Sequence, residues 1–228
     1  MNLRTTQQRL LIPTLALVAV AVFFIIYAPV DRTLGLSQKI FYPHVGLAWV
    51  MMVAFFVNFV GGIGYLAKEK DHWDRLAASS AEIGVVFCAL VLLSGAVWGR
   101  IAWGVWWLWD VRLTTTLILL LAYAGYLLVR TMAKGQKKKT FSAVIGVMAF
   151  ADVPLVFISI RWWRSIHPAV ITPEGIHLDG TMKIAMFASL GAMSLLYATW
   201  LVSRIRAKRS EARGMAKTHR ILPASHGD

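Results

Sequence analysis

The sequence predicts an all-α fold: a polytopic membrane helix bundle of about six transmembrane helices, with an interfacial tryptophan-rich segment between spans three and four. Three observations carry this. Hydrophobic residues make up 58% of the 228, charged residues only 15%, and the mean hydropathy is +0.62. The apolar residues fall in blocks of about 20, the length an α-helix needs to cross ~30 Å of hydrocarbon. Backbone groups in lipid must satisfy one another, so each block reads as a helix.

The first span covers about 10–30. Arg4 and Arg9 precede it, as basic residues precede a signal peptide. The run is longer than a usual signal core and no small-x-small cleavage site follows it cleanly, so it reads as a retained anchor. The second span, about 44–67, opens at His44 directly after Pro43. The third, about 79–98, holds Glu82 and the one cysteine, Cys88, which can form no internal disulfide and reads as a small core side chain. The fourth covers about 113–130 and the fifth about 141–160, the latter with Asp152 two residues before Pro154. The sixth covers about 184–203, and 204–228 reads as a basic cytoplasmic tail. Residues 1–228 thus read as a single integral membrane domain, without repeats and with no low-complexity tract beyond the lysines at 137–139.

The formal net charge of +13 raises nucleic acid as a partner, but its distribution argues against it. With both termini in the cytoplasm, the inner side carries 17 of the 24 basic residues: Arg4, Arg9, Lys68, Lys70, Arg75, Arg130, Lys134, the lysines at 137–139 and seven in the tail. The outer side carries the other 7: Arg32, Lys39, Arg100, Arg112, Arg161, Arg164 and Lys183. That is a positive-inside bias, so the basicity reads as topology and attraction to anionic membrane lipid.

This orientation gathers the informative residues on the outer face. His44 sits in Phe-Tyr-Pro-His-Val-Gly, and His167 lies just past span five in Arg-Trp-Trp-Arg-Ser-Ile-His-Pro. Eight of the ten tryptophans (Trp49, Trp98, Trp103, Trp106, Trp107, Trp109, Trp162 and Trp163) also fall there, against Trp73 and Trp200 on the inner side. Interfacial anchoring populates both faces, so it leaves the asymmetry unexplained. If residues 103–110 are helical, Trp103, Trp106, Trp107 and Asp110 share one face, with Trp109 turned aside. That spacing fits an aromatic shelf or a re-entrant plug packed on its own bundle, and does not choose between them.

Two histidines over aromatic rings suit a flat apolar ligand that carries a metal, and haem answers that description. Haem propionates would also pair with Lys39, Arg100, Arg112, Arg161 and Arg164, which run against the charge bias. The competing reading is that both histidines merely cap helix ends. Zinc lacks a third or fourth outer ligand at sensible spacing, and His177, in a turn-rich loop, reads as solvated. Asp152 and Glu82 read as structural acids. There is no Ser-His-Asp set, no phosphate loop and no pair of outer carboxylates, so the chain does not read as an enzyme.

The run Trp-Gly-Val-Trp-Trp-Leu-Trp-Asp-Val-Arg-Leu-Thr at 103–114 resembles the tryptophan-rich WWD signature of haem-handling proteins. Its Asp-Val-Arg-Leu-Thr ending, the Leu-Ser-Gly-Ala-Val-Trp-Gly at 93–99 and the segments around both histidines resemble the CcmC branch, haem exporter protein C of cytochrome c maturation. The resemblance covers about 38–200. It implies that His44 and His167 are axial ligands to the iron of haem b, the transported ligand. It implies that Trp98, Trp103, Gly104, Trp106, Trp107, Trp109 and Asp110 hold the macrocycle, and that Lys39 and Arg112 belong to the same site. It also implies work at the periplasmic face of the bacterial inner membrane. There haem would be handed to the chaperone CcmE, beside the ATPase CcmA, the permease CcmB and the small subunit CcmD. Gly46 stands where the family commonly has proline, and Arg161 where an acidic residue is frequent. A solute permease subunit gated by the tryptophan segment is the alternative, and a purely structural subunit is a third.

Overall fold

The computed structural model describes residues 3–163, 167, 171–172, 175–176 and 178–221. Among these, seven helices follow one another: α1 (Leu3–Tyr27), α2 (Gln38–Lys68), α3 (Asp71–Trp103), α4 (Val111–Met132), α5 (Gly135–Ala149), α6 (Asp152–Trp162) and α7 (Gly180–Ile221). A two-residue hairpin, β1 (Ile171–Thr172) with β2 (Gly175–Ile176), precedes α7. Six helical stretches are long and apolar enough to cross a membrane, α5 and α6 together supplying one of them (Gly135–Ser159).

The predicted spans two, three, four and six lie inside helices that run further at both ends. The first ends earlier than predicted, at Tyr27, because Ala28 precedes Pro29 and the residue before a proline is driven out of helical geometry. The fifth span, read as one helix, is broken. Ala151 N–H donates to Met148 O (3.1 Å) and Val153 N–H to Phe150 O (3.0 Å), three-residue bonds that tighten the chain just before Pro154, which has no N–H to give. Pro154 then falls in the first turn of α6, where a missing donor costs little.

Beyond the predicted end at 203, α7 stays helical to Ile221. Its first residues past that point are tied to α3: Glu82 accepts from Arg204 Nε (2.9 Å) and Nη2 (2.6 Å), and from Lys208 Nζ (2.6 Å). Glu82, read from the sequence as a structural acid, thus ties α3 to the stretch of α7 beyond residue 203. At the same end, Asp74 accepts a two-pronged pair from Arg130 at 2.7 and 3.1 Å, and Asp71 accepts from Lys139 at 2.7 Å.

Close helix approach rests on small residues, as it must where lipid offers no hydrophobic drive. A Cβ at Gly61 would stand 3.0 Å from the backbone nitrogen of Ala77, so α2 and α3 nearly touch there. Ser80 Oγ donates to Ala54 O (2.6 Å) and shares a second hydrogen bond with Tyr197 Oη (2.6 Å), which joins α2, α3 and α7. Phe55 stacks on Tyr123 with ring centres 3.7 Å apart in the middle of the bundle. The first helix lies along α7, with Thr14 Oγ1 and Thr199 Oγ1 hydrogen-bonded at 2.8 Å.

Gly46 lies two residues from His44 and is buried against α7. A Cβ there would come within 3.1 Å of Ser189 O and 2.9 Å of Met193 Cγ. The missing side chain at Gly46 thus lets α7 close on α2 beside the histidine. Gly46→Leu should force the two helices apart and destabilise the protein by about 1–3 kcal/mol, the usual range for overpacking. Thermal unfolding in detergent checks this as a lowered melting temperature.

Candidate haem-binding site

His44 sits in the second turn of α2, with Pro43 inside the same helix. Its Nδ1 is 2.8 Å from Ser94 Oγ on α3. His167, in the chain between α6 and α7, comes back over it: the two imidazole centres are 6.4 Å apart, with their planes tilted by 36°. Both rings border a cavity of about 300 Å³. Met51, Met52, Val91, Thr116 and Val156 line it from the helices, and Phe41, Trp98, Trp103, Trp107 and Arg112 are also on its wall. A nearly apolar chamber with two imidazoles and one cation is a poor site for a hydrated ion. It suits an apolar ligand with a metal centre and an anionic edge.

The spacing of the rings bears on the metal. Metal–imidazole nitrogen bonds are about 2 Å long, so two imidazoles on opposite sides of one metal have ring centres roughly 6 Å apart. The observed 6.4 Å is compatible with that separation. Burial, and next the charge of Arg112, push the His167 imidazole down to about 4. The ring is therefore neutral at physiological pH, with a lone pair to offer a metal. Among the described residues no group of three or more His, Cys, Asp or Glu could hold a bare metal ion.

The tryptophan-rich segment is not helical. Helix α3 ends at Trp103, Gly104 turns with φ +77°, and the chain runs without regular structure until Asp110 starts α4. Arg100 Nη1 donates to Gly104 O and steadies the turn. Asp110 is the N-cap of α4, its Oδ1 accepting from Arg112 N–H at 2.9 Å. The predicted helical face is accordingly split. Trp103 and Trp107 face the cavity, whereas Trp106 is 60% and Trp109 77% exposed. Trp103 packs edge-on to His167 (5.8 Å between centres) and to the buried Trp98 (5.1 Å). Trp98 Nε1 and Trp107 Nε1 are buried donors with no hydrogen-bond partner among the described residues. Replacing Asp110 by Ala should remove the cap and cost about 1 kcal/mol, while Asp110→Asn keeps an accepting oxygen and should lose much less. Melting temperatures of the two variants check this.

The predicted residues divide three ways. His44, His167, Trp98, Trp103, Trp107 and Arg112 meet at the cavity. Gly104 and Asp110 hold the ends of the segment, and Trp106 and Trp109 point outward from it. Lys39 stands apart, its Nζ donating to Ile26 O near the end of α1 at 2.6 Å. Arg164 and His177 lie outside the described residues, as does the side chain of Arg161. Ser94, Gly95, Phe41, Met51, Met52 and Phe157 were not foreseen as site residues. Helical spacing carried the signal for some: Phe41, Ala48 and Met51 lie three before, four after and seven after His44, one stripe of α2.

Comparison with known proteins agrees with this chemistry. A family model described as "CcmC: Heme exporter protein C" matches residues 2–220. The chain is similar to the Heme exporter protein C of Bradyrhizobium diazoefficiens, 33% identical over 196 residues that cover 85% of this chain and 74% of the relative. It is similar to the Heme exporter protein C of Escherichia coli strain K12, 30% identical over 182 residues that cover 79% of this chain and 74% of the relative. A ccmC-like mitochondrial cytochrome c biosynthesis protein of Marchantia polymorpha is 27% identical over 83% of this chain and 82% of its own length.

Proposed function

Because the chain belongs to the CcmC family, haem exporter protein C, we propose that it binds haem b between His44 and His167 and delivers it for cytochrome c maturation. The observation that carries this is the pair of imidazoles 6.4 Å apart over an aromatic, nearly apolar cavity. Two imidazole nitrogens satisfy the iron from both sides. Trp103, Trp107 and Trp98 offer indole faces and edges to the macrocycle, and Arg112 supplies charge for a propionate. Lys39 reaches a propionate by exchanging its bond to Ile26 O, which is near the same end of the bundle.

The chain lies in the bacterial cytoplasmic membrane with both termini inside and the histidine end at the periplasm, the orientation that the basic residues favour. Delivery is ligand exchange rather than catalysis: haem leaves for the chaperone CcmE while CcmA, CcmB and CcmD work alongside. The exposed Trp106 and Trp109 beside the cavity support a hand-over of this kind, because they offer an incoming chaperone an apolar landing face.

A solute permease is not favoured. Beneath the cavity Phe55, Phe87, Cys88, Leu119 and Tyr123 are at most 2% exposed and close the bundle. Of the two acids that a polar path could use, Asp152 and Glu82, the second is engaged by Arg204 and Lys208. The test is transfer. Haem-loaded membranes that hold the assembled complex are mixed with haem-free chaperone, and haem should move to the chaperone. A chaperone that stays empty while the chain keeps its haem would contradict the hand-over.

A further inference from the structure

We infer that Ser94 is a positioning residue that fixes the tautomer of His44, and that Gly95 makes room for the imidazole to hold that pose; this rests on the haem-site reading above. A serine hydroxyl has a single hydrogen and two acceptor lone pairs. Ser94 Oγ lies 2.7 Å from Leu90 O, the carbonyl one helical turn back, and 3.2 Å from Val91 O. Carbonyl oxygens cannot donate, so the serine proton is spent on the backbone. Were the hydroxyl turned to His44 instead, Oγ would face Leu90 O at 2.7 Å with no proton between two acceptors.

The hydrogen bond to His44 at 2.8 Å therefore runs from Nδ1–H to Ser94 Oγ. A neutral imidazole with its proton on Nδ1 has its lone pair on Nε2. Ser94 thus selects, before any haem arrives, the ring nitrogen that meets the iron. The Nδ1–H bond also makes Nε2 a stronger donor, as outer-shell partners of metal-bound histidine do. Gly95 contributes by absence. A Cβ there would stand 3.2 Å from His44 Cε1, tighter than ordinary contact, so the ring would have to shift by a few tenths of an ångström against its bond to Ser94. The adjacent Ser94 and Gly95 both face His44 from α3, one as acceptor and one as space.

The test compares the purified full-length chain with Ser94→Ala, Ser94→Thr and Gly95→Ala. Threonine keeps a hydroxyl that can donate to the carbonyl one turn back. Each variant is loaded with haem, and three quantities are read: the rate of haem loss to an apo-globin trap, the reduction potential of the bound haem, and the ferric electron paramagnetic spectrum. Ser94→Ala should lose haem about 10- to 100-fold faster, with a raised potential and altered low-spin signals. Ser94→Thr should match the parent, and Gly95→Ala should shift the low-spin signals in the same sense as Ser94→Ala. If Ser94→Ala matches the parent in rate and potential, or if Ser94→Thr fails as badly as Ser94→Ala, the inference is overturned. A parent chain whose haem spectrum is indifferent to His44 would instead bring down the haem-site reading itself.

Discussion

Alanine at His44 or His167 should each convert bound haem from a six-coordinate to a five-coordinate species and weaken its retention by more than about 100-fold. The magnitude follows from rank. Outer-shell partners of a metal ligand are worth about 10- to 100-fold in affinity, so an axial ligand is worth more. What remains in a single variant is one Fe–N bond, the tryptophan contacts and the Arg112 charge, so some haem should survive gentle purification. The double variant keeps no iron ligand and should lose it. Neither histidine is among the fully buried side chains of the core, so folding should be little disturbed. Free imidazole supplies a control, because it fits the space vacated by His44 and should restore the six-coordinate spectrum of His44→Ala. Haem per protein after gel filtration, with absorption spectra, measures all of this.

Asp74→Ala should be the most damaging single change away from the site, costing about 3–5 kcal/mol. The two side chains of the Asp74–Arg130 pair are only 11% and 12% exposed, and they meet through two hydrogen bonds. Removing the acid leaves a guanidinium buried and unmatched, which is the expensive way to break such a pair. Tyr126 offsets part of that, since its ring centre is 5.9 Å from the guanidinium carbon. Replacing both partners together, Asp74→Ala with Arg130→Met, should recover most of the loss, because no charge is then stranded. Thermal unfolding of the single and double variants measures the difference. A double variant as unstable as the single one would show that something other than the stranded charge is at fault.

The same contrast between local and distant partners explains what could be read from the sequence. Span number followed from hydropathy because lipid demands about 20 apolar residues of every helix that crosses it. The break in the fifth span did not, since Phe150 and Ala151 are as apolar as their neighbours and hydropathy is blind to a tightened turn. Pro154 and Asp152 marked the place without saying that the helix restarts. Glu82 read as structural without its partner being visible, because the arginine that holds it is 122 residues away. The two histidines were legible through their flanking motifs, yet Ser94 was only part of a motif until the fold placed its hydroxyl on the ring. The tryptophan segment is the instructive case. Helical spacing grouped Trp103, Trp106, Trp107 and Asp110, but Gly104 in left-handed geometry ends α3 and the Asp110 cap begins α4. Between those stops the chain has no helix to obey, and packing against His167 and Trp98 selects which indoles turn inward.

If His44 and His167 both bind one iron, the ferric haem they hold is low-spin. Electron paramagnetic resonance of the purified ferric chain loaded with one haem tests it most directly. The parent chain should give a low-spin bis-imidazole signal, replaced by a high-spin signal when either histidine is changed to alanine. A parent chain with a high-spin signal, or a low-spin signal that outlasts both substitutions, would contradict it.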